Sequence, residues 1–233
     1  MFGRNLYFLL LASFLQASDL TERFQNPTLE QFYLYYAGST PEQCDIGEHM
    51  SLLKELAFEC PTVTEIGLGL VISTWGLLEG LSENFSSDRH YIGIDIAEPS
   101  MDNLALAEKF AQERGIAFSF RRCNDLYTEI EPTDLLFIDS MHTYCHLSYE
   151  LDAFSPQVQK YIAMHDTSEP WGGQDDIQYV GDYSEYPAHY DRGKKGLWLA
   201  VEDFLESHPE WMLQERRLNC HGFTILKRRI YDQ

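Results

Sequence analysis

Val63-Thr64-Glu65-Ile66-Gly67-Leu68-Gly69 is a β-branched run that ends in two glycines, and residues 73–81 after it have a helical composition. Together they read as a strand, a tight turn and a helix. The pattern extends in both directions. Upstream, Asp45-Ile46-Gly47-Glu48 sets a capping aspartate three residues before a glutamate, and Met50, Leu53, Leu56 and Ala57 follow at helical spacing, so a helix leads into the first strand. Downstream, residues 91–96 predict a second strand, 101–114 a helix with Leu104, Ala107 and Phe110 on one face, 117–121 a third strand, and 134–138 a strongly apolar fourth. Helix formers over 146–154 precede a fifth strand at 161–164, closed by His165-Asp166-Thr167. Residues 196–207 predict a further helix, and 211–217 with 223–228 a closing pair of strands around Asn219-Cys220-His221-Gly222. Strands that alternate with helices join by right-handed crossovers. The expected fold is therefore α/β, a doubly wound, mostly parallel seven-stranded sheet with a terminal antiparallel hairpin.

The 233 residues carry 17 Lys and Arg against 37 Asp and Glu, a formal net charge of -20. That field repels phosphate backbones and anionic lipid surfaces. The basic clusters Arg121-Arg122, Lys194-Lys195, Arg216-Arg217 and Lys227-Arg228-Arg229 are too short to reverse it, so nucleic acid is not an expected partner. No Pro/Gly/Ser-rich stretch marks a second folding unit, which gives one domain over 19–233. Five cysteines, at 44, 60, 123, 145 and 220, are odd in number and lack CxxC or Cys/His zinc spacing, so free thiols are expected. Residues 1–18 read two ways. Arg4 before the apolar run 6–15 and Gln16-Ala17-Ser18 imitates a secretory signal, whereas Leu6, Leu9, Leu10 and Phe14 suit a helical extension packed on the domain. The run is too short to span a bilayer.

Ligands of an open α/β sheet bind at the carboxyl ends of its strands, so the residues just after each strand carry the chemistry. Gly67 and Gly69 let backbone approach a ligand, and Ser73-Thr74 bring capping hydroxyls to the next helix. Ile72 stands where a GxGxxG fingerprint has its third glycine, which argues against a nicotinamide site. Asp95, ending the second strand, is placed to accept from both ribose hydroxyls of an adenosine, or to cap a helix. Asp125, in Cys123-Asn124-Asp125, faces an adenine amino group or serves a turn.

Two apolar strands end in carboxylates, at Asp139 and Asp166. If they are neighbours, about 4.8 Å apart, these acids converge on one divalent cation, Mg²⁺ or Mn²⁺. His165 as a third ligand would favour Mn²⁺ or Fe²⁺ over Mg²⁺. His142 lies one short turn beyond Asp139, placed to take a proton from a hydroxyl that the cation acidifies; the alternative is a hydrogen-bonded loop histidine. Glu48 and His49, on the helix before the first strand, either cover a bound cosubstrate or form a surface capping box. Residues 168–192, rich in Gly, Asp, Tyr and Pro, follow the fifth strand as the expected lid. There Tyr179, Tyr183, Tyr186 and Tyr190 either stack on a substrate or pack the loop.

Glu65-x-Gly67 with Ser73-Thr74-Trp75, Asp95, Phe137-Ile138-Asp139-x-x-His142-x-Tyr144 and His165-Asp166-Thr167 together resemble the class I S-adenosylmethionine (SAM)-dependent methyltransferases. The nearest likeness is to the branch of macrolide-pathway sugar O-methyltransferases and cephalosporin-hydroxylase-like proteins, and it covers residues 45–228. The resemblance implies a Rossmann-like methyltransferase fold and SAM held by Glu65, Gly67 and Asp95, with Gly69, Ser73 and Asp125 beside them. It implies a divalent cation on Asp139 and Asp166, and His142 as general base. Methyl transfer would be a direct displacement onto a hydroxyl of a small acceptor such as a sugar or glycan unit, driven by positioning and charge stabilisation. The chain departs from the family in two places: Leu70-Val71-Ile72 replaces a segment where relatives carry glycine, and His165-Asp166 replaces a pair of acids. Because SAM is made in the cytosol, the resemblance favours a cytoplasmic protein, with export by the signal-like start as the alternative. Two other activities suit the same scaffold, a metal-dependent hydroxylase and a catalytically silent SAM-binding module.

Overall fold

The computed structural model describes residues 27–176, 186–187, 189–190 and 193–229. The expectations for residues 1–18, Tyr179 and Tyr183 lie outside the described residues. In the interior of the sheet, β1 (Thr62–Ile66) buries four successive residues, as a strand covered on both faces must. It leads through a glycine loop into α3 (Ile72–Glu83), after α1 (Leu29–Ala37) and α2 (Met50–Phe58). There follow β2 (His90–Asp95), α4 (Met101–Glu113), β3 (Ala117–Arg122), β4 (Thr133–Ile138), α5 (Tyr144–Phe154), β5 (Val158–His165), α6 (Leu197–Ser207), β6 (Trp211–Arg217) and β7 (Phe223–Arg228).

The strand order is β3-β2-β1-β4-β5-β7-β6. Neighbours are parallel from β3 to β5, and β7 runs antiparallel to both β5 and β6. This is the doubly wound seven-stranded sheet with a terminal hairpin that the sequence predicts. Alternate residues of β4 feed two cores: Leu135 and Phe137 face α1 to α4, while Leu136 and Ile138 face α5 and α6. The chain winds outward from β1 through β2 to β3 and then crosses to β4. The crevice at the carboxyl ends of β1 and β4 is therefore the topological switch point.

One local reading is corrected. The capping box at Asp45 does not form: Asp45 accepts from Ile46 N at 2.9 Å, and a 3₁₀ turn at Gly47–His49 precedes α2. The turn packs tightly under α1, since a Cβ on Gly47 would lie 2.9 Å from Tyr36 O. The reciprocal box sits instead at the unforeseen α1, where Gln31 N donates to Thr28 Oγ1 (3.3 Å) and Thr28 N to Gln31 Oε1 (3.0 Å). All five cysteines are free thiols. Among the described residues no helix is long and apolar enough to cross a membrane.

Candidate active site

The loop after β1 is shaped by close approach. Gly67 has φ +85°, and a Cβ there would fall 2.1 Å from Asp139 O, so the end of β1 touches the end of β4 only because the residue is glycine. Gly69 (φ +48°) has nothing within 4 Å of an added Cβ and borders open space. Val71 also adopts left-handed backbone, φ 68°, which a β-branched residue rarely takes. Asp95 lies against this loop. Its Oδ2 accepts from Leu68 N (2.8 Å) and Gly69 N (3.1 Å), and its Oδ1 from Ala97 N (2.8 Å). A carboxylate offers about four lone-pair sites, so one remains for a ligand hydroxyl.

Glu65 and Ser73 do not face the crevice. Glu65 is fully buried and accepts from Ser73 Oγ, from Thr74 Oγ1 at 2.8 Å and from Tyr91 OH. The hydroxyls expected to cap α3 are spent on this acid, and the cap position is Val71, without a side-chain bond. Burial pushes the Glu65 carboxyl up to about 7, against the pull of those three hydroxyls. Its role in the described geometry is to fasten the first turn of α3 to β1 beneath the loop.

Asp139 and Asp166 end β4 and β5, which are hydrogen-bonded neighbours, and the two acids do converge. His142 Nε2 lies 2.8 Å from Asp166 Oδ2 and 3.9 Å from Asp139 Oδ1. His165 is buried, and its Nε2 donates to Cys220 O at 3.0 Å. That bond turns Nδ1 toward the acids, 3.6 Å from both Asp139 Oδ1 and Asp166 Oδ2. These separations are too long for hydrogen bonds and lie just beyond the spacing of about 3.0–3.5 Å that bonds of about 2.1 Å to one ion set, so a small closure would bring the donors onto it. Asp166 Oδ1 is buried without a hydrogen-bond partner among the described residues, and Asp166 holds left-handed backbone, φ 60°. The donor set fits a divalent cation.

Electrostatics agree. Burial lowers the His142 pKa, but the Asp139 and Asp166 carboxylates outweigh it and raise the imidazole to about 10. Burial likewise opposes protonation of His165, and the same two acids hold its pKa well above the ordinary range. Against their own burial, Asp139 and Asp166 are held below the usual carboxylate range, with His165 the main cause. Two imidazolium protons thus balance two carboxylates, the charge that one divalent cation would supply.

Sequence reasoning missed part of the frame. Trp171 stacks on His142 (centroids 5.5 Å apart, 23° between planes), and Asp176 N donates to His142 O at 2.8 Å. Asp175 Oδ1 accepts from Tyr144 N and Gly196 N, closing the start of the 168–192 loop over α5 and α6. His49 is not a cover for the crevice. It is fully buried beside His165, with its Nε2 on Asn219 O at 3.0 Å. Asp125 is sealed from the crevice too, paired with His146 (2.7 Å) next to Glu150. Of the loop tyrosines, Tyr186 is buried against His146 Nδ1 (2.8 Å), and Tyr190 donates to Asp152. The i, i+4 spacing of His146 and Glu150 on α5 was the available signal for that cluster.

No protein-family model matches the chain, and no curated protein matches it in sequence. Solved structures do share its fold. A protein from Corynebacterium glutamicum is 15% identical, with 93% of this chain and 97% of that one covered and a TM-score of 0.54. The O-methyltransferase TomG from Streptomyces achromogenes, solved in complex with SAM, is 15% identical over 91% and 96% of the two chains, TM-score 0.50. The SAH-bound methyltransferase PaMTH1 from Podospora anserina is 14% identical over 92% and 95%, TM-score 0.50. At this identity the likeness is one of fold, and it extends across nearly the whole of each chain.

Proposed function

We propose that this protein is a SAM-dependent methyltransferase that transfers a methyl group to a hydroxyl of a small acceptor, a sugar or glycan unit among the candidates, with a divalent cation at the acidic cluster. The observation that carries this reading is the convergence of Asp139, His142, His165 and Asp166 beside the switch point of a sheet shared with SAM- and SAH-bound methyltransferases. SAM supplies a methyl group activated on a sulfonium. Asp95 would accept from one of its ribose hydroxyls, and Gly67 and Gly69 would admit it to the backbone. Asp139, Asp166 and His165 Nδ1 would hold the cation, whose charge lowers the pKa of a nearby hydroxyl. A nitrogen among the donors favours Mn²⁺ or Fe²⁺ over Mg²⁺.

His142 then has a defined task. With the two carboxylates neutralised, the cause of its raised pKa is removed, and the imidazole becomes a base able to take the acceptor proton. Trp171, stacked on the ring, and Asp176, bonded to its carbonyl, fix where that base points. Transfer of label from methyl-labelled SAM to hydroxylated acceptors, with Mn²⁺ or Mg²⁺ present, tests the reading. His142→Gln should lower turnover by about 10²- to 10⁴-fold and leave SAM binding unchanged. Turnover that needs Fe²⁺ and O₂ but no SAM would assign the site to a hydroxylase. Retained SAM binding with no turnover affected by His142→Gln would mark a silent module.

A further inference from the structure

A second cluster lies behind the first, on the inner side of α5. Asp125, His146 and Glu150 each bring one ligand-type atom within 4.8 Å of the others. All three are more than nine-tenths buried: Asp125 is 8% exposed, His146 6% and Glu150 0%. His146 Nε2 is 2.7 Å from Asp125 Oδ2 and 3.6 Å from Glu150 Oε1. Glu150 Oε2 has no hydrogen-bond partner among the described residues, although no part of the side chain reaches solvent. Burial and the neighbouring Asp125 carboxylate push the Glu150 carboxyl well above the ordinary range, so without a cation the two acids keep a proton between them at the place a cation would occupy.

The surroundings are arranged as outer partners of a metal site. Ser140 Oγ donates to Glu150 Oε1 at 2.6 Å, and His146 Nδ1 meets Tyr186 OH at 2.8 Å. A metal-bound imidazole characteristically gives its other N–H to such a neighbour. We propose that Asp125, His146 and Glu150 form a second, structural site for a borderline first-row cation such as Zn²⁺ or Mn²⁺. The cation would join the β3–β4 connection to α5 and, through Tyr186, to the β5–α6 connection. The N/O donor set suits those ions better than Mg²⁺. Ligation asks little movement. His146 and Asp125 need part by less than about 1 Å to reach the spacing set by bonds of about 2.1 Å, and the 3.6 Å gap to Glu150 lies just beyond it. The site is independent of the methyltransferase reading.

The test is metal content of the full chain by mass spectrometry after chelation and reloading with Zn²⁺ or Mn²⁺. Wild type is compared with Asp166→Asn, which disables the first cluster, and with the double variant Asp166→Asn/Glu150→Gln. One tight equivalent should survive in Asp166→Asn. In the double variant its affinity should fall by about a hundredfold or more, beyond the loss of an outer partner, with an unchanged circular dichroism spectrum. If Glu150→Gln does not fold, His146→Gln carries the same comparison. No tight equivalent in Asp166→Asn, together with a protonated-carboxyl infrared band that vanishes in Glu150→Gln, would overturn the proposal in favour of a shared proton.

Discussion

Replacing Glu65 with glutamine tests how the glycine loop is held. The carboxyl is fully buried and its pKa rises from an ordinary 4.5 to about 7 because burial penalises the charge. Each tenfold change in proton affinity is worth about 1.4 kcal/mol, so a rise of about 2.5 pH units corresponds to about 3 kcal/mol. The sign follows from the raised value. This stability is fully present below pH 4.5 and is lost as pH climbs through 7, because ionisation is easier in the unfolded chain. About 2.5 of those 3 kcal/mol change between pH 5 and 8, a window that stays above the sequence pI of about 4.6. Glutamine keeps one oxygen, for Thr74 and Tyr91 on the Oε2 side or for Ser73 on the Oε1 side, and does not titrate. Urea unfolding of both proteins across that window should show wild-type stability falling relative to Glu65→Gln by about 2.5 kcal/mol. A difference that stays constant with pH would refute a buried, raised carboxyl at this position.

Gly67→Ala should destabilise the fold by about 3 kcal/mol or more, because the new Cβ meets the Asp139 carbonyl of β4 rather than a movable side chain; Gly69→Ala, facing open space, should cost about 1 kcal/mol, and thermal melts compare the two. Binding of a divalent cation at pH 7 should release up to about two protons, from His142 and His165, both held protonated by Asp139 and Asp166. Calorimetry in buffers of different ionisation enthalpy measures that number, and zero would remove the charge-exchange argument. Trp171→Ala should lower kcat/KM about tenfold through loss of the stack on His142, with cation affinity unchanged in the same titration.

The sheet was legible because its strands are apolar and its helices periodic, and both hairpin strands appear at their expected residues. The pair of acids was legible for a related reason: a carboxylate at the end of a buried strand has few structural uses, and the β4–β5 pairing brings Asp139 and Asp166 together. What the sequence does not carry is which partner satisfies each polar group. Glu65 and Asp95 both follow the pattern of ligand-binding acids, yet Glu65 turns inward to three hydroxyls while Asp95 holds loop amides and keeps one free lone pair. His165 owes its orientation to Cys220 O, 55 residues away on the β6–β7 loop, and no local pattern encodes that bond. The stack of Trp171 on His142 likewise depends on how the loop folds back after β5.

Titration of the purified full chain with SAM by calorimetry, with and without Mn²⁺ or Mg²⁺ and beside Asp95→Ala, tests the central claim most directly. One SAM bound per chain, weakened about tenfold or more in Asp95→Ala, is the result the switch-point geometry predicts. No binding of SAM under any of these metal conditions would contradict it.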